Sequence, residues 1–539
     1  MDKRGKKSIL LALPMLSGNL LFFSIPFFWI VYMSFTFGLD RQWVGVRHYV
    51  ELLSNPTFQL ASVNTVKYAT ISIPILILIS LLSALIIKRT GRLGRMLLFT
   101  LLIPMTIPSS GVAVLLQALS SGNGPVGKFV LKTVLHTEPL VNSPALFGIY
   151  VFIYIWRNIG CTTLIFFIAL LSIPKTYYNN ARVDGAGTIR RFLSITLPQL
   201  GPSFFLTSLI SIMRLFESFR DMLVISGTHP INNVYMLQHF IYNNLKNINL
   251  ARLSTATILL FLPIFLVILC LSPTIKRLLL AKGFLQINQS AYMERNRVKV
   301  VHFIPVLALM IVSSFPLAYF IQGSIGEWSR LFTDQITYLL RFANSMLLTI
   351  PILIGNICIA CAAGFCYAKL RFRFHAALLF IMTLSALLPL HVTLSPNYIV
   401  LDRLKLIGSY SALIIPQLFA PRSVFYMTLI FSNISTSMIR SARVDGAGVM
   451  NLLCRVAVPN SKFGILSIAL LTFIDTWNMV EQPMAFLSTI QKYPLAVYLS
   501  TVENSANPVL HALTVISMLP ALVLLFLAVK LFKTARRHS

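Results

Sequence analysis

Apolar runs alternate with short polar segments along the whole chain, and many exceed the roughly 18–20 residues that cross a bilayer as helix. The pattern predicts spans near 9–37, 60–87, 96–118, 144–171, 201–226 and 254–279. A second set is expected near 301–322, 342–367, 375–400, 409–431, 462–487 and 508–532. The fold class is an all-α polytopic membrane protein with about twelve transmembrane helices in two six-helix repeats. A transmembrane barrel would show alternating segments of about ten residues, and the chain has none. The basic stretch 280–300 separates the sets, giving a first half over 1–285, a linker over 286–300 and a second half over 301–539. An even number of spans per half places both termini and the linker on one side, so the halves are parallel repeats.

Direct repetition supports that division. "ARVDGAG" stands at 181–187 and again at 442–448, and each copy leads to a proline motif, "ITLP" ending at Pro198 and "VAVP" ending at Pro459. Asn64 and Asn344 open equivalent spans, 120 residues before Asp184 and 101 before Asp445. The first half therefore carries extra residues, and "SSGNGPVG" assigns them to the outer loop 119–144.

Composition narrows the class further. Only 11% of residues are charged, against about 25% in a soluble domain. The net charge of +30 sits mostly in "MDKRGKK", "KRTGRLGR", the linker region, "AKLRFRF", "KLFKTARR" and the two repeated loops. This is the positive-inside pattern, which puts those loops and both termini in the cytoplasm. It excludes nucleic acid as the partner, because no soluble basic patch carries interleaved aromatics. "MDKRGKK" and the run after it read as a retained first helix, since the run is too long for a signal peptide and no small-residue cleavage site follows. Cys358, Cys361 and Cys366 share one expected helix and read as small apolar residues, so no metal site is expected.

The repeated loop has its own local logic. A short helix should end at Asp184–Gly185, where glycine accepts a left-handed turn, and Asp184 is positioned to cap the next helix. That second helix carries Ile189, Phe192, Leu193 and Ile195 at amphipathic spacing and should lie along the membrane face. Pro198 should start the following span, where a missing N–H is harmless. Val449, Leu452, Leu453, Val456 and Pro459 repeat the design. One such loop would read as an interfacial hairpin. Two at equivalent positions on one side read as docks for a two-fold cytoplasmic partner.

The membrane-embedded charges form a second candidate site. At offset 261, "SIMRLFESFRDML" lies over "TFIDTWNMVEQPM", which sets Arg214 opposite Asp475, Glu217 opposite Asn478 and Arg220 opposite Glu481, with Asp221 opposite Gln482. Spacing of three or four residues predicts one helical stripe per half. The stripes line a polar translocation path, or they lock the halves by pairing opposite charge. Lys67, Arg157 and Arg422 read as interfacial groups or local pairs.

The repeated loops resemble the coupling motif of ATP-binding-cassette importer permeases, E-A-A-x-x-x-G followed nine residues on by I-x-L-P. Ala181, Gly185, Leu197 and Pro198 match in the first copy, and Ala442, Gly446, Val458 and Pro459 in the second. Asp184 and Ala186, like Asp445 and Ala447, belong to the "DGA" form of the sugar-transporting branch. The motif's glutamate is replaced by Asn179 and Arg440, so contact here rests on shape and backbone. "IPFFWIVYMSFTF", "NVYMLQHFIYNN" and "FIDTWNMVEQPMAFL" resemble the first and second permease subunits of maltose-type importers, in that order.

The resemblance implies two such permeases fused in one chain of a bacterial cytoplasmic membrane. It implies two cytoplasmic ABC ATPase subunits on loops 172–198 and 433–459. An extracellular solute-binding protein would deliver a sugar to loops 38–59, 119–144 and 227–253. The chain itself would be no enzyme and would carry no cofactor. "GxxxxGK[ST]" is absent from the sequence, which leaves ATP and Mg to the partner ATPase. The alternative is an ion-coupled secondary transporter in which Glu217, Asp221, Asp475 and Glu481 carry protons.

Overall fold

The computed structural model describes residues 3–37, 42–90, 92–120, 143–247, 249–280, 300–328, 336–370, 374–388, 390–501 and 509–538. The linker 286–300 and the outer loop 119–144 lie almost wholly outside them. Helices make up most of the rest, with one antiparallel pair, Thr36–Phe37 against Gln42–Trp43.

Among the described residues, eight helices are long and apolar enough to cross a membrane. They are Leu10–Ser34, Pro56–Thr90, Leu146–Ser172, Leu250–Val267, Ile304–Ser324, Tyr338–Lys369, Ser411–Ser432 and Val509–Ala528. Three bent pairs supply the third, fifth and eleventh positions, and a shorter apolar helix, His375–Ala386, starts the ninth.

The interruptions have local causes. In the third span Met96–Thr106 meets Ser109–Gln117 at 94°. Ile107 between them is extended, with φ −74° and ψ 128°, because it precedes Pro108 and a residue before proline is pushed out of the helical region. Leu388 repeats this before Pro389, with φ −64° and ψ 128°, so the span expected over 375–400 is the two helices His375–Leu387 and Leu390–Arg403.

Each half folds around the same core, its second span running along its fourth: Pro56–Thr90 against Leu146–Ser172, and Ile336–Lys369 against Pro421–Ser432. The first spans are exchanged. Lys3–Asn19 packs on Ile336–Lys369 of the second half, while Val300–Ser324 packs on Arg92–Leu102 of the first. Gly18 marks one crossing, since a Cβ there would run into the Phe419 ring.

A duplicated clamp holds the loops that follow the broken fifth and eleventh spans. Asn64 Nδ2 donates to the carbonyls of Asn232 at 2.6 Å and Tyr235 at 3.1 Å. Asn344 Nδ2 donates to those of Gln491 at 2.8 Å and Tyr493 at 3.2 Å. The next residue on each helix, Thr65 or Ser345, accepts at 2.8 Å from the backbone N–H of Leu237 or Leu495. These bonds satisfy loop carbonyls and helix-start N–H groups that a bilayer interior leaves without water.

Candidate functional site

Both repeated loops fold alike. The first helix of each, Lys175–Val183 or Thr436–Val444, stops at an aspartate followed by a glycine in the left-handed region, Gly185 at φ +73° and Gly446 at φ +82°. Ala186 N–H then donates to Ala181 at 2.8 Å and Gly185 N–H to Arg182 at 3.1 Å. Ala447 donates to Ala442 at 3.0 Å and Gly446 to Arg443 at 3.1 Å. These paired bonds form a Schellman turn, which uses up carbonyls the helix end leaves open.

The expected capping by aspartate is corrected here. Asp184 and Asp445 close the preceding helix, whereas Gly187 and Gly448 begin the following one with no side-chain cap. The turn needs three residues after the aspartate before a new helix can start, which carries the carboxylate away from that helix's N–H groups.

The second helix contains a π-helical turn in both copies, Phe192–Thr196 and Leu452–Ala457. Leu197 and Pro198 belong to the short helix Leu197–Gln199, and Val458 and Pro459 to Val458–Asn460. The spans proper start only after bends of 60° and 82°, at Gly201 and Lys462 rather than at the prolines. Apolar side chains stand out from the loops at matching positions: Val183 is 86% exposed and Val444 87%. Ile189 and Met450, again 261 apart, are also exposed.

The embedded charges gather at one place between the halves. Arg214 Nη1 donates to Asp475 Oδ1 at 2.8 Å and to Glu217 Oε2 at 3.0 Å. Arg422 Nη1 bonds to Glu217 Oε1 and stands 3.6 Å from Asp475 Oδ2. The four side chains close a ring of alternating sign, two from each half. Beside it Arg157 Nη1 pairs with Asp221, and its Nη2 donates to the Ile107 carbonyl at the break of the third span.

The uninterrupted stripes expected from spacing do not form. Helix Gly201–Glu217 ends at Ser218 before Phe219–Ser226, and Lys462–Trp477 is separated from Glu481–Phe486 by Asn478–Val480. Arg214 and Glu217 reach the other half, but Asp221 turns to Arg157 of its own half. Arg422 closes the ring and Arg157 pairs with Asp221 beside it, while Lys67 lies 4.9 Å over the Phe147 ring. Sequence spacing missed the two arginines because their partners lie 64 and 205 residues away.

Arg220 Nε, both side-chain polar atoms of Asn478, Glu481 Oε1 and Gln482 Oε1 are buried without a hydrogen-bond partner among the described residues. The cavity at the cluster holds about 60 Å³ and is lined by Arg157, Arg214, Glu217, Arg220, Asp221, Asp475 and Asn478 among others. Small-molecule pockets run to several hundred Å³, so this arrangement is closed around the charges.

Residues 76–282 match the model of the family described as binding-protein-dependent transport system inner membrane component. The matched stretch lies within the first half of the chain. The match supports a multi-pass transport permease over the ion-coupled carrier as the reading of its carboxylates.

Its similarity extends to individual permeases. It is 27% identical over 240 residues to the probable ABC transporter permease protein YurN of Bacillus subtilis (strain 168), covering 42% of this chain and 80% of that protein. It is 29% identical over 236 residues to the sn-glycerol-3-phosphate transport system permease protein UgpA of Escherichia coli O6:K15:H31, covering 43% and 80%. Among solved structures, a bacterial ABC transporter involved in the import of the acidic polysaccharide alginate matches with a TM-score of 0.38 at 21% identity. That match covers 42% of this chain and 92% of the other.

Proposed function

We propose that the chain is a two-half permease of an ATP-driven importer for a carbohydrate, with both halves fused through the linker 286–300. The relatives support fusion: 80% of a single permease such as YurN corresponds to only 42% of this chain. Two cytoplasmic ABC ATPase subunits, which hold the ATP and Mg, dock on loops 172–198 and 433–459. A solute-binding protein delivers substrate on the opposite side of the cytoplasmic membrane, and both termini face the cytoplasm with the basic loops.

The observation that carries this reading is the pair of Schellman turns with matching hydrogen bonds, each presenting an exposed valine at the same position, Val183 and Val444. A monomeric connector has no need to expose such side chains twice on one face. ATP-driven closure of the ATPase pair would swing the docked loops and the fifth and eleventh spans behind them. The Arg214–Glu217–Arg422–Asp475 ring sits on those spans and on the tenth, so it opens and closes with the halves. It combines the two sequence-based readings: a lock in the closed state and a polar wall of the path in the open one.

Val183→Asp together with Val444→Asp places a charge in each apolar dock. Co-purification of the ATPase subunits with the chain should be lost while the chain still inserts in the membrane. Retention of both ATPases by the double variant would remove these loops as docks.

A further inference from the structure

We infer that the first half seats a phospholipid, with one acyl chain in a groove beside the fifth span and the phosphate on Arg252. The groove lies between Pro56–Thr90, Gly201–Glu217 and Leu250–Leu280 and holds about 550 Å³, against about 60 Å³ at the charge ring. Val66 and Ile73 line one wall, Ile212 and Phe216 a second, and Leu259 and Val267 the third. Val66 and Val267 are exposed, so the groove opens sideways where the spans meet lipid. Of its polar lining residues, Gln59 donates to the Leu53 carbonyl at 2.7 Å and Thr65 to that of Ala61 at 2.8 Å. The walls thus favour a hydrocarbon chain.

The groove exists because the sixth span departs from its counterpart. In the second half Val509–His538 packs on Lys462–Trp477. Among the described residues Leu250–Leu280 makes no comparable contact with Gly201–Glu217. It packs instead on Ile25–Ser34, and on Leu390–Arg403 and Pro421–Ser432 of the second half. An apolar gap left empty forfeits dispersion contacts on every wall, and the bilayer supplies acyl chains at its opening. Ile212 and Phe216 belong to the helix that carries Arg214 and Glu217, so a seated chain braces that span from its lipid side.

Length and charge orient that lipid. Along the second span the lining runs from Phe58 to Ile73, about 22 Å of helix. One leaflet of hydrocarbon is about 15 Å deep, which leaves the end at Phe58 for the headgroup. Arg252 shares a helix face with the lining residues Leu259 and Pro263 and stands about 10 Å beyond Leu259 toward that end. It is exposed, and its side chain has no hydrogen bond or ion pair among the described residues, whereas Arg47 is held by Glu51 at 2.7 Å. A guanidinium matches phosphate through paired N–H donors. Val50 and Leu53, exposed on helix Arg47–Leu53, continue the apolar surface at the mouth. The leaflet rests on the topology proposed above, which makes it the outer one.

The test gives the purified, delipidated full-length chain in dodecyl maltoside one molar equivalent of phosphatidylglycerol carrying a mid-chain diazirine. Cross-linked peptides should concentrate on residues 62–73 and 259–267, at least fivefold over the stretch 339–354, where Leu339, Leu347 and Ile354 are similarly exposed. A diacylglycerol with the same photoreactive chain and no phosphate should label the groove at least fivefold less. Arg252→Gln should reduce phosphatidylglycerol labelling to the diacylglycerol level. Ala69→Trp, which fills the groove, should abolish it, while Leu347→Trp on another lipid-facing span leaves it unchanged. Even labelling of the two regions in the unaltered chain would overturn the seat, whatever the variants do. Equal labelling by the two probes, or full labelling of Arg252→Gln, would overturn the phosphate contact. Detergent presents no sidedness, so the map is independent of the permease topology. Thiol labelling that placed Cys454 outside would overturn the outer-leaflet assignment alone.

Discussion

Arg214 and Asp475 occupy equivalent positions of the two halves, 261 residues apart, and their side chains meet at 2.8 Å. Equivalent positions of a repeat touch each other only near the axis that relates them. The contact therefore marks the pseudo-two-fold axis inside the membrane. A symmetric dimer would set two like charges there. Duplication within one chain lets the two copies diverge to opposite charge.

Reversing one partner tests that ring. Arg214→Asp sets a third carboxylate beside Glu217 and Asp475, and leaving a buried charge without its partner costs about 3–5 kcal/mol. Transport in reconstituted vesicles should fall to background in Arg214→Asp and in Asp475→Arg. If the ring acts as a lock, the double exchange should regain assembly and much of the transport. If its asymmetry also orients the substrate, the double exchange should assemble normally but remain slow. Normal transport by both single variants would remove the ring from the mechanism.

The two left-handed glycines give a graded series. A Cβ at Gly185 or Gly446 meets nothing within 4 Å, so Ala costs only the backbone penalty of about 1–2 kcal/mol. Proline cannot adopt that φ and also removes the N–H that bonds to Arg182 or Arg443. Substrate-stimulated ATPase activity should stay near normal with Asn at both positions, fall with Ala and vanish with Pro, while membrane insertion persists. Equal activity across the series would mean that the turn geometry is irrelevant to coupling.

Sidedness can be read with a native thiol. Cys454 is exposed in the second loop, at the π-helical turn. In a variant retaining only this cysteine, a membrane-impermeant maleimide should label inside-out vesicles and leave intact cells unlabelled. A cysteine at exposed Val46, between the first and second spans, should show the opposite pattern. Reversed labelling would invert the topology and end the docking scheme.

The Asn64 and Asn344 clamps should be structural and additive. Replacement by Leu leaves two loop carbonyls unsatisfied in each case, at about 1–3 kcal/mol per buried group. Thermal unfolding of the detergent-solubilised chain should drop by several degrees for each variant. The double variant should lose the sum, because the two clamps share no partner.

The periodicity of apolar runs located a helix at each of the twelve expected positions, because burial in lipid is imposed residue by residue and needs no tertiary partner. Spacing alone also located the left-handed glycine of each loop, since a Schellman turn is built within six residues. Other features were beyond it. Ile107 and Leu388 stand before prolines in the sequence, but whether such a pair kinks a span or breaks it depends on what bonds to the freed carbonyls, as Arg157 does at Ile107. The offset set Arg214 opposite Asp475, while only the packed helices brought in Arg422 from the tenth span and turned Asp221 toward Arg157. Charges in a membrane take whichever partner lies within a few ångströms, and that distance is settled by how helices cross. The order of residues along one helix does not contain it.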